Sequence, residues 1–284
     1  MKVVVAGGSG YVGRALVNSL LADGHDVAVV SREPSDDEVS WEDVGEAVDG
    51  SDAVVNLAGT SIGSIRWTES RKKSILASRA TTNRTLVRAI EGASRRPEVF
   101  VSASGIDYAG NTGDTVVDEF SPPGTSFLSR VCVAWELEAA KSPVRNVAVR
   151  TSLAIGPGAD AVRLMALPFR FFAGGRAGDG RQWFPWIHLD DLVRLYRLAI
   201  DSETLSGPLD AVAPQQLRQR DAARELGAVL HRPTLLPAPA FALRLALGEQ
   251  ADLLLHGQRA VSRKLDGFEF RYRGLRAALE DALG

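Results

Sequence analysis

Short β-branched runs alternate with apolar stripes at helical spacing through the first half of the chain. Residues 3–5 are all valine; after a glycine turn, Val12, Leu16, Val17, Leu20 and Leu21 fall on one side of a helix that Gly24 ends. Residues 27–30 give a second run, and DAVVNLAG at 52–59 gives another buried strand after an acidic stretch with room for a short helix at 42–48. Thr68 is placed to cap a long helix in which Ile75, Leu76, Leu86, Val87 and Ile90 share one side. VFVSAS at 99–104 is the next strand, and a polar loop at 105–123 leads to a helix at 126–140. NVAVRTSLAIG at 146–156 reads as a sixth strand. Strands this uniformly apolar are covered on both faces, which makes the sheet parallel. The alternation predicts an α/β, doubly wound parallel sheet with ligands at the carboxyl ends of its strands.

The rest is less regular. GGRAGDGR at 174–181 is a glycine-rich loop carrying two arginines, followed by the aromatic string QWFPWIHLDDL and a helix from Asp190. From Pro214 onward short helices are broken by HRP, LPAP and GEQ, before FEFRYRGL and a last helix. The expected division is a nucleotide-binding Rossmann domain over 1–155, with 186–212 returning to it. Residues 156–185 and 213–284 then form a smaller, mostly helical substrate region, and the cleft between the two holds substrate.

Composition narrows the function. With 33 basic and 35 acidic residues the net charge is −2, so neither a nucleic acid nor a membrane surface is implied as partner. A lone cysteine, Cys132, excludes an internal disulfide framework and a Cys-rich zinc site, and the four histidines lie far apart in sequence, so no metal is expected. The chain opens on a core strand with no room for a signal peptide, and no apolar run approaches the ~20 residues of a membrane span. The expectation is a cytoplasmic monomer or homodimer acting on a small molecule.

Strand, glycine loop, helix and second strand follow one another within about thirty residues, the context a dinucleotide-binding fingerprint requires. Gly7 and Gly8 turn the chain off the strand, Gly10 lets backbone amides approach a pyrophosphate, and Gly13 lets the helix pack close to the sheet. At the end of the second strand an acid would accept from the adenosine ribose; Ser31 and Arg32 stand there instead. A guanidinium at that place binds the extra phosphate of NADP, and the alternative is a solvated surface arginine. The expected cofactor contacts are Gly7, Ser9, Gly10, Tyr11, Val12, Gly13, Ser31 and Arg32, with Leu57, Ala58, Gly59 and Ser102 at the ends of the next strands.

GGSGYVG, VNLAG, SASGIDY and GDGRQWFPWIHLDDL, in that order, resemble the extended short-chain dehydrogenase/reductases, which include the sugar-nucleotide epimerases. RWTESRKKSILASR, VAWE, LHRP and PAFALRLALGE are similar to an atypical branch called "epimerase family protein", which carries a small extra domain from about Leu230. The resemblance spans essentially the whole chain and implies NADP(H) binding with an oxidoreductase or epimerase ancestry. In the wider family a Ser after the fifth strand works with a Tyr and, four residues on, a Lys that lowers the Tyr pKa. Ser104 matches the Ser, but Leu128 falls at the Tyr position and Cys132 at the Lys position. Leucine exchanges no proton, and a thiol brings no fixed positive charge.

Any acid must come from elsewhere. Tyr108, four residues after Ser104, is the nearest phenol, either catalytic or a half-buried loop residue, with Asp107 beside it. Cys132 reads as a small core residue rather than a nucleophile, having no His or Lys beside it on its helix. Arg176 and Arg181 suit an anionic substrate group or a mobile turn; Trp183, Phe184 and Trp186 suit a pocket wall or core; His188 suits a substrate or structural hydrogen bond. Two readings follow: an NADP(H)-dependent oxidoreductase or epimerase-like enzyme on a small polar substrate, or an NADP(H)-binding sensor without catalysis.

Overall fold

The computed structural model describes residues 1–63 and 66–284. In chain order the first elements are β1 (Lys2–Ala6), α1 (Tyr11–Ala22), β2 (Asp26–Ser31), β3 (Val39–Ser40), α2 (Val44–Val48), β4 (Ala53–Asn56), α3 (Glu69–Gly92) and β5 (Val99–Gly105). There follow β6 (Val116–Val117), α4 (Phe127–Ala139), β7 (Arg145–Thr151), β8 (Leu153–Ile155), α5 (Asp160–Arg170), β9 (Trp186–His188), α6 (Leu189–Asp201) and β10 (Gly207–Ala211). The chain ends with α7 (Gln219–Val229), α8 (Ala240–Leu247), α9 (Asp252–Leu255), β11 (Arg259–Ala260) and α10 (Leu275–Leu283).

Seven strands form one parallel sheet in the order β10-β7-β5-β4-β1-β2-β3. The chain winds outward in both directions from β1 and β4, so the crevice for a ligand opens beyond the carboxyl ends of those two strands. Alternation within β1 feeds both faces. Val3 and Val5 pack with Leu16 and Leu20 of α1 and Leu192, Leu195 and Tyr196 of α6, whereas Val4 and Ala6 pack with Val44 and Val48 of α2 and Leu86, Val87 and Ile90 of α3. A second core joins Ile155, Phe169, Trp186, Leu226, Leu275 and Leu279. It holds α5, α7 and α10 around the small β8–β9 sheet.

Three local expectations need correction. The run at 146–156 is two strands: the Ser152 amide and hydroxyl both donate to the Ala211 carbonyl, at 3.2 and 2.8 Å, and the next amide turns to Pro185, so β8 pairs with β9 outside the main sheet. The acidic stretch contains β3 as well as a helix, and α2 starts only at Val44 because the Ser40 hydroxyl accepts from the Glu42 and Asp43 amides. The third concerns the start of α6. Expected from Asp190, the helix begins at Leu189, and His188 caps it, its Nδ1 accepting from the Asp190 amide at 3.1 Å.

Candidate active site

The glycine loop closes on itself before α1 begins. Gly7 has φ +80°, and a Cβ there would lie 2.7 Å from the Ala58 amide; a Cβ on Gly13 would lie 2.2 Å from the Gly7 carbonyl oxygen. Both positions therefore need glycine, and the two-sided contact brings loop, helix and the chain after β4 into one cradle. The Gly10 amide donates to Gly7 at 3.0 Å, and α1 begins at Gly10 with no side-chain cap, leaving first-turn amides for an anion. Ser9 and Val12 belong to this turn. The Tyr11 hydroxyl is buried without a hydrogen-bond partner among the described residues and is pushed up to about 12, first by burial and then by Asp281 and Asp190. At the end of β2, Ser31 is half-buried and Arg32 is exposed, with no hydrogen bond or ion pair to its guanidinium among the described residues.

Behind the cradle runs a buried amide network that sequence reasoning missed. Asn56, at the end of β4, accepts from the Ala58 amide at 3.0 Å and donates to Asn83 Oδ1 at 2.6 Å. Asn83, fully buried on α3, donates to Ser102 Oγ and to the Trp135 carbonyl, both at 2.9 Å. The network fixes the shape of the Leu57, Ala58 and Gly59 segment. It also takes up the Ser102 hydroxyl, which is buried and bonded to Asn83 and to its own strand. Arg79, one turn before Asn83, lies against Gly59, donates to the Thr60 carbonyl at 2.9 Å and stacks on Trp135. Burial brings its guanidinium down to about 10, which leaves it cationic at neutral pH.

Ser104, next to last in β5, sits opposite Arg150 of β7, and it has a carboxylate partner. Its hydroxyl donates to Glu136 Oε1 at 2.6 Å, and Arg150 clamps Glu136 through Nε at 2.8 Å and Nη2 at 2.9 Å. The Arg150 guanidinium lies 3.5 Å from the centre of the Tyr108 ring, so Ser104 and Tyr108 are joined through Glu136 and Arg150. Glu136 was visible only as the last letter of VAWE. Nothing local in the sequence pairs it with a serine 32 residues earlier. Leu128 packs in an apolar cluster with Trp67 and Phe127, and Cys132 is buried against Gly105 with its thiol pushed up to about 12 by burial. Asp107 accepts from Gln258 at 3.3 Å, and burial raises its carboxyl above the usual range.

The other expected substrate residues are not gathered here. Of the two roles expected for His188, the structural hydrogen bonds are the ones seen: Nδ1 caps α6, Nε2 sits 3.0 Å from Asp281, the ring stacks on Tyr272, and 1% of it is exposed. Trp183 donates to Asp114 at 3.0 Å and lies between the guanidiniums of Arg218 and Arg259, while Trp186 is core. Arg176 and Arg181 line a separate pocket that shares no residue with the glycine loop or the Ser104 cluster.

Comparison with known proteins agrees with this geometry. Residues 3–208 match the model of the NAD dependent epimerase/dehydratase family, and 238–282 match a domain of unknown function, DUF1731. The chain belongs to the NAD dependent epimerase/dehydratase family. Within that family it is 39% identical to the chloroplastic epimerase family protein SDR39U1 homolog of Arabidopsis thaliana, over 98% of this chain and 86% of that one. The crystal structure of the human epimerase family protein SDR39U1 with NADPH superposes with a TM-score of 0.93 at 36% identity, covering 99% of this chain and 98% of that one. A likeness of fold alone extends to the UDP-glucuronic acid 4-epimerase of Bacillus cereus in complex with NAD, with a TM-score of 0.77 at 15% identity over 99% and 95% of the two chains.

Proposed function

We propose that this family member is an NADP(H)-dependent oxidoreductase or epimerase-like enzyme acting on a small polar substrate. The cradle that a Cβ on Gly7 or Gly13 would fill suits a pyrophosphate, and the exposed Arg32, without a partner among the described residues, suits the additional phosphate of NADP. The human relative crystallised with NADPH supports the same cofactor. When bound, the nicotinamide gives or takes a hydride. The proton is the task of the protein.

The observation that carries the catalytic reading is the 2.6 Å bond from Ser104 to Glu136. With its hydrogen committed to the carboxylate, the Ser104 oxygen is an acceptor for a substrate hydroxyl. As that hydroxyl loses its proton, Ser104 takes it and passes its own to Glu136; in the reverse direction the proton returns along the same two bonds. Arg150 holds Glu136 by two bonds, so the carboxylate keeps its aim. This relay replaces the work of a Tyr–Lys pair that Leu128 and Cys132 cannot do. A sensor without catalysis is the second reading, favoured by the apolar packing of those same two residues.

Native mass spectrometry of the purified protein tests the cofactor, with bound NADP(H) expected, alone or with a second small molecule. A protein that is empty and takes up no added NADPH overturns the reading. Given a turned-over compound, Ser104→Ala should keep NADPH affinity and lose turnover, and Glu136→Gln should do the same. Unchanged turnover in both variants rules out the relay.

A further inference from the structure

The glycine-arginine loop and α7 together wall a pocket of about 490 Å³. Four guanidiniums line it: Arg176 and Arg181 from the loop, Arg220 and Arg224 from successive turns of α7. One carboxylate, Asp179, is in the wall, and its Oδ1 already accepts from the Arg181 amide at 2.9 Å. Asp221 serves two arginines at once, 2.9 Å from Arg224 and 3.8 Å from Arg220. Arg176 and Arg181 have no carboxylate and no hydrogen-bond acceptor on their guanidiniums among the described residues. Four cations against two carboxylates leave two positive charges uncompensated.

The backbone is shaped to produce this concentration of charge. Gly180 has φ +69°, and a Cβ on it would lie 2.7 Å from Cβ of Arg220 and 3.0 Å from Cβ of Arg176. Its carbonyl accepts from the Arg220 amide at 3.0 Å, so the loop is pinned onto the first turn of α7 where only glycine fits. A turn that presses unpaired arginines together raises their mutual repulsion, and a bound dianion reverses the sign of that term. Guanidiniums converging from two elements match tetrahedral phosphate oxygens better than a single carboxylate.

We propose that this pocket is a phosphate-binding site distinct from the cofactor cleft, taking a diphosphate or a phosphate monoester. It shares no side chain with the glycine loop or the Ser104 cluster, so its ligand is independent of NADP(H). Its rim is apolar: Leu235 lines it and is 80% exposed. The phosphate therefore comes either from a soluble compound or from an anionic lipid headgroup whose chains meet that rim.

Calorimetric titration of inorganic pyrophosphate, with and without saturating NADPH, tests the site in the wild type and in the R176Q/R220Q double variant. The expected result is pyrophosphate binding that persists with NADPH present and weakens about tenfold or more in the variant, while NADPH affinity and melting temperature stay unchanged. Co-sedimentation with phosphatidylcholine vesicles, with and without phosphatidic acid, assigns the source. Vesicle binding that requires phosphatidic acid and is lost in R176Q/R220Q points to a lipid headgroup, and pyrophosphate binding alone points to a soluble phosphate. Binding of neither probe, or binding untouched by the double substitution, overturns the proposal. Pyrophosphate displaced by NADPH and insensitive to R176Q/R220Q locates the anion in the glycine loop instead.

Discussion

Arg32 and Cys132 show how far one side chain decides chemistry here. An exposed guanidinium at the end of β2, with no partner among the described residues, is placed to form strong bonds when an anion arrives. Arg32→Ala should therefore weaken NADPH binding by about 10- to 100-fold, the value of one or two charge-assisted bonds. NADH binding should barely change. Fluorescence titration with both nucleotides checks this, and equal losses would remove Arg32 from cofactor selection. Cys132 makes the opposite case. Burial pushes its thiol up to about 12, so at pH 8 only about one in 10⁴ is thiolate. Reaction with a disulfide reagent should be negligible in the native protein and complete in denaturant; rapid native labelling would restore Cys132 as a nucleophile.

At the scale of elements, Asn83 ties four of them together: its amide reaches β4, β5 and α4 from α3. Asn83→Leu would fill the space and remove three buried bonds, while the Asn56 amide keeps its bond to Thr82 Oγ1 and the Ser102 hydroxyl its bond to the Ala103 carbonyl. Denaturant unfolding should show a loss of about 2–4 kcal/mol, the value of three buried hydrogen bonds. A loss below about 1 kcal/mol would mean that the network adds little beyond shape. What was readable beforehand was local. The strand and helix alternation, the glycine loop and the Thr68 cap depend on residues a few positions apart, and the Thr68 hydroxyl indeed accepts from the Arg71 amide. The break at Ser152 and the Glu136 partner of Ser104 depend on groups far off in sequence, where periodicity carries no information; the histidine cap of α6 is a local bond, but the ring is held by the distant Asp281 and Tyr272. Leu128 and Cys132 were legible as absences, but the carboxylate beside Ser104 was not.

The whole molecule is closed by a buried charge cluster that joins the sheet edge to the C-terminal segment. Glu119, itself buried, accepts from the Ser262 hydroxyl, from the Arg263 amide at 3.0 Å and from the Asp210 amide of β10 at 3.2 Å. Asp210 Oδ1 has no hydrogen-bond partner, and its nearest cation, Arg150, is 3.9 Å away. Burial first, and the Glu119 charge second, push the Asp210 carboxyl from 3.8 up to about 8. The native protein thus retains a proton that the unfolded chain releases near pH 4. Between about pH 4 and pH 8 the native state binds more protons than the unfolded state, so this group makes stability fall as pH rises through that window and then level off. Asp210→Asn removes the ionisation while keeping the shape. Melting temperatures across pH 5–8 should show a downward slope in the wild type that is flatter in the variant, with the variant gaining most on the wild type at pH 8. Parallel curves would mean that Asp210 is already ionised at neutral pH, stabilised there by Arg150 despite its depth.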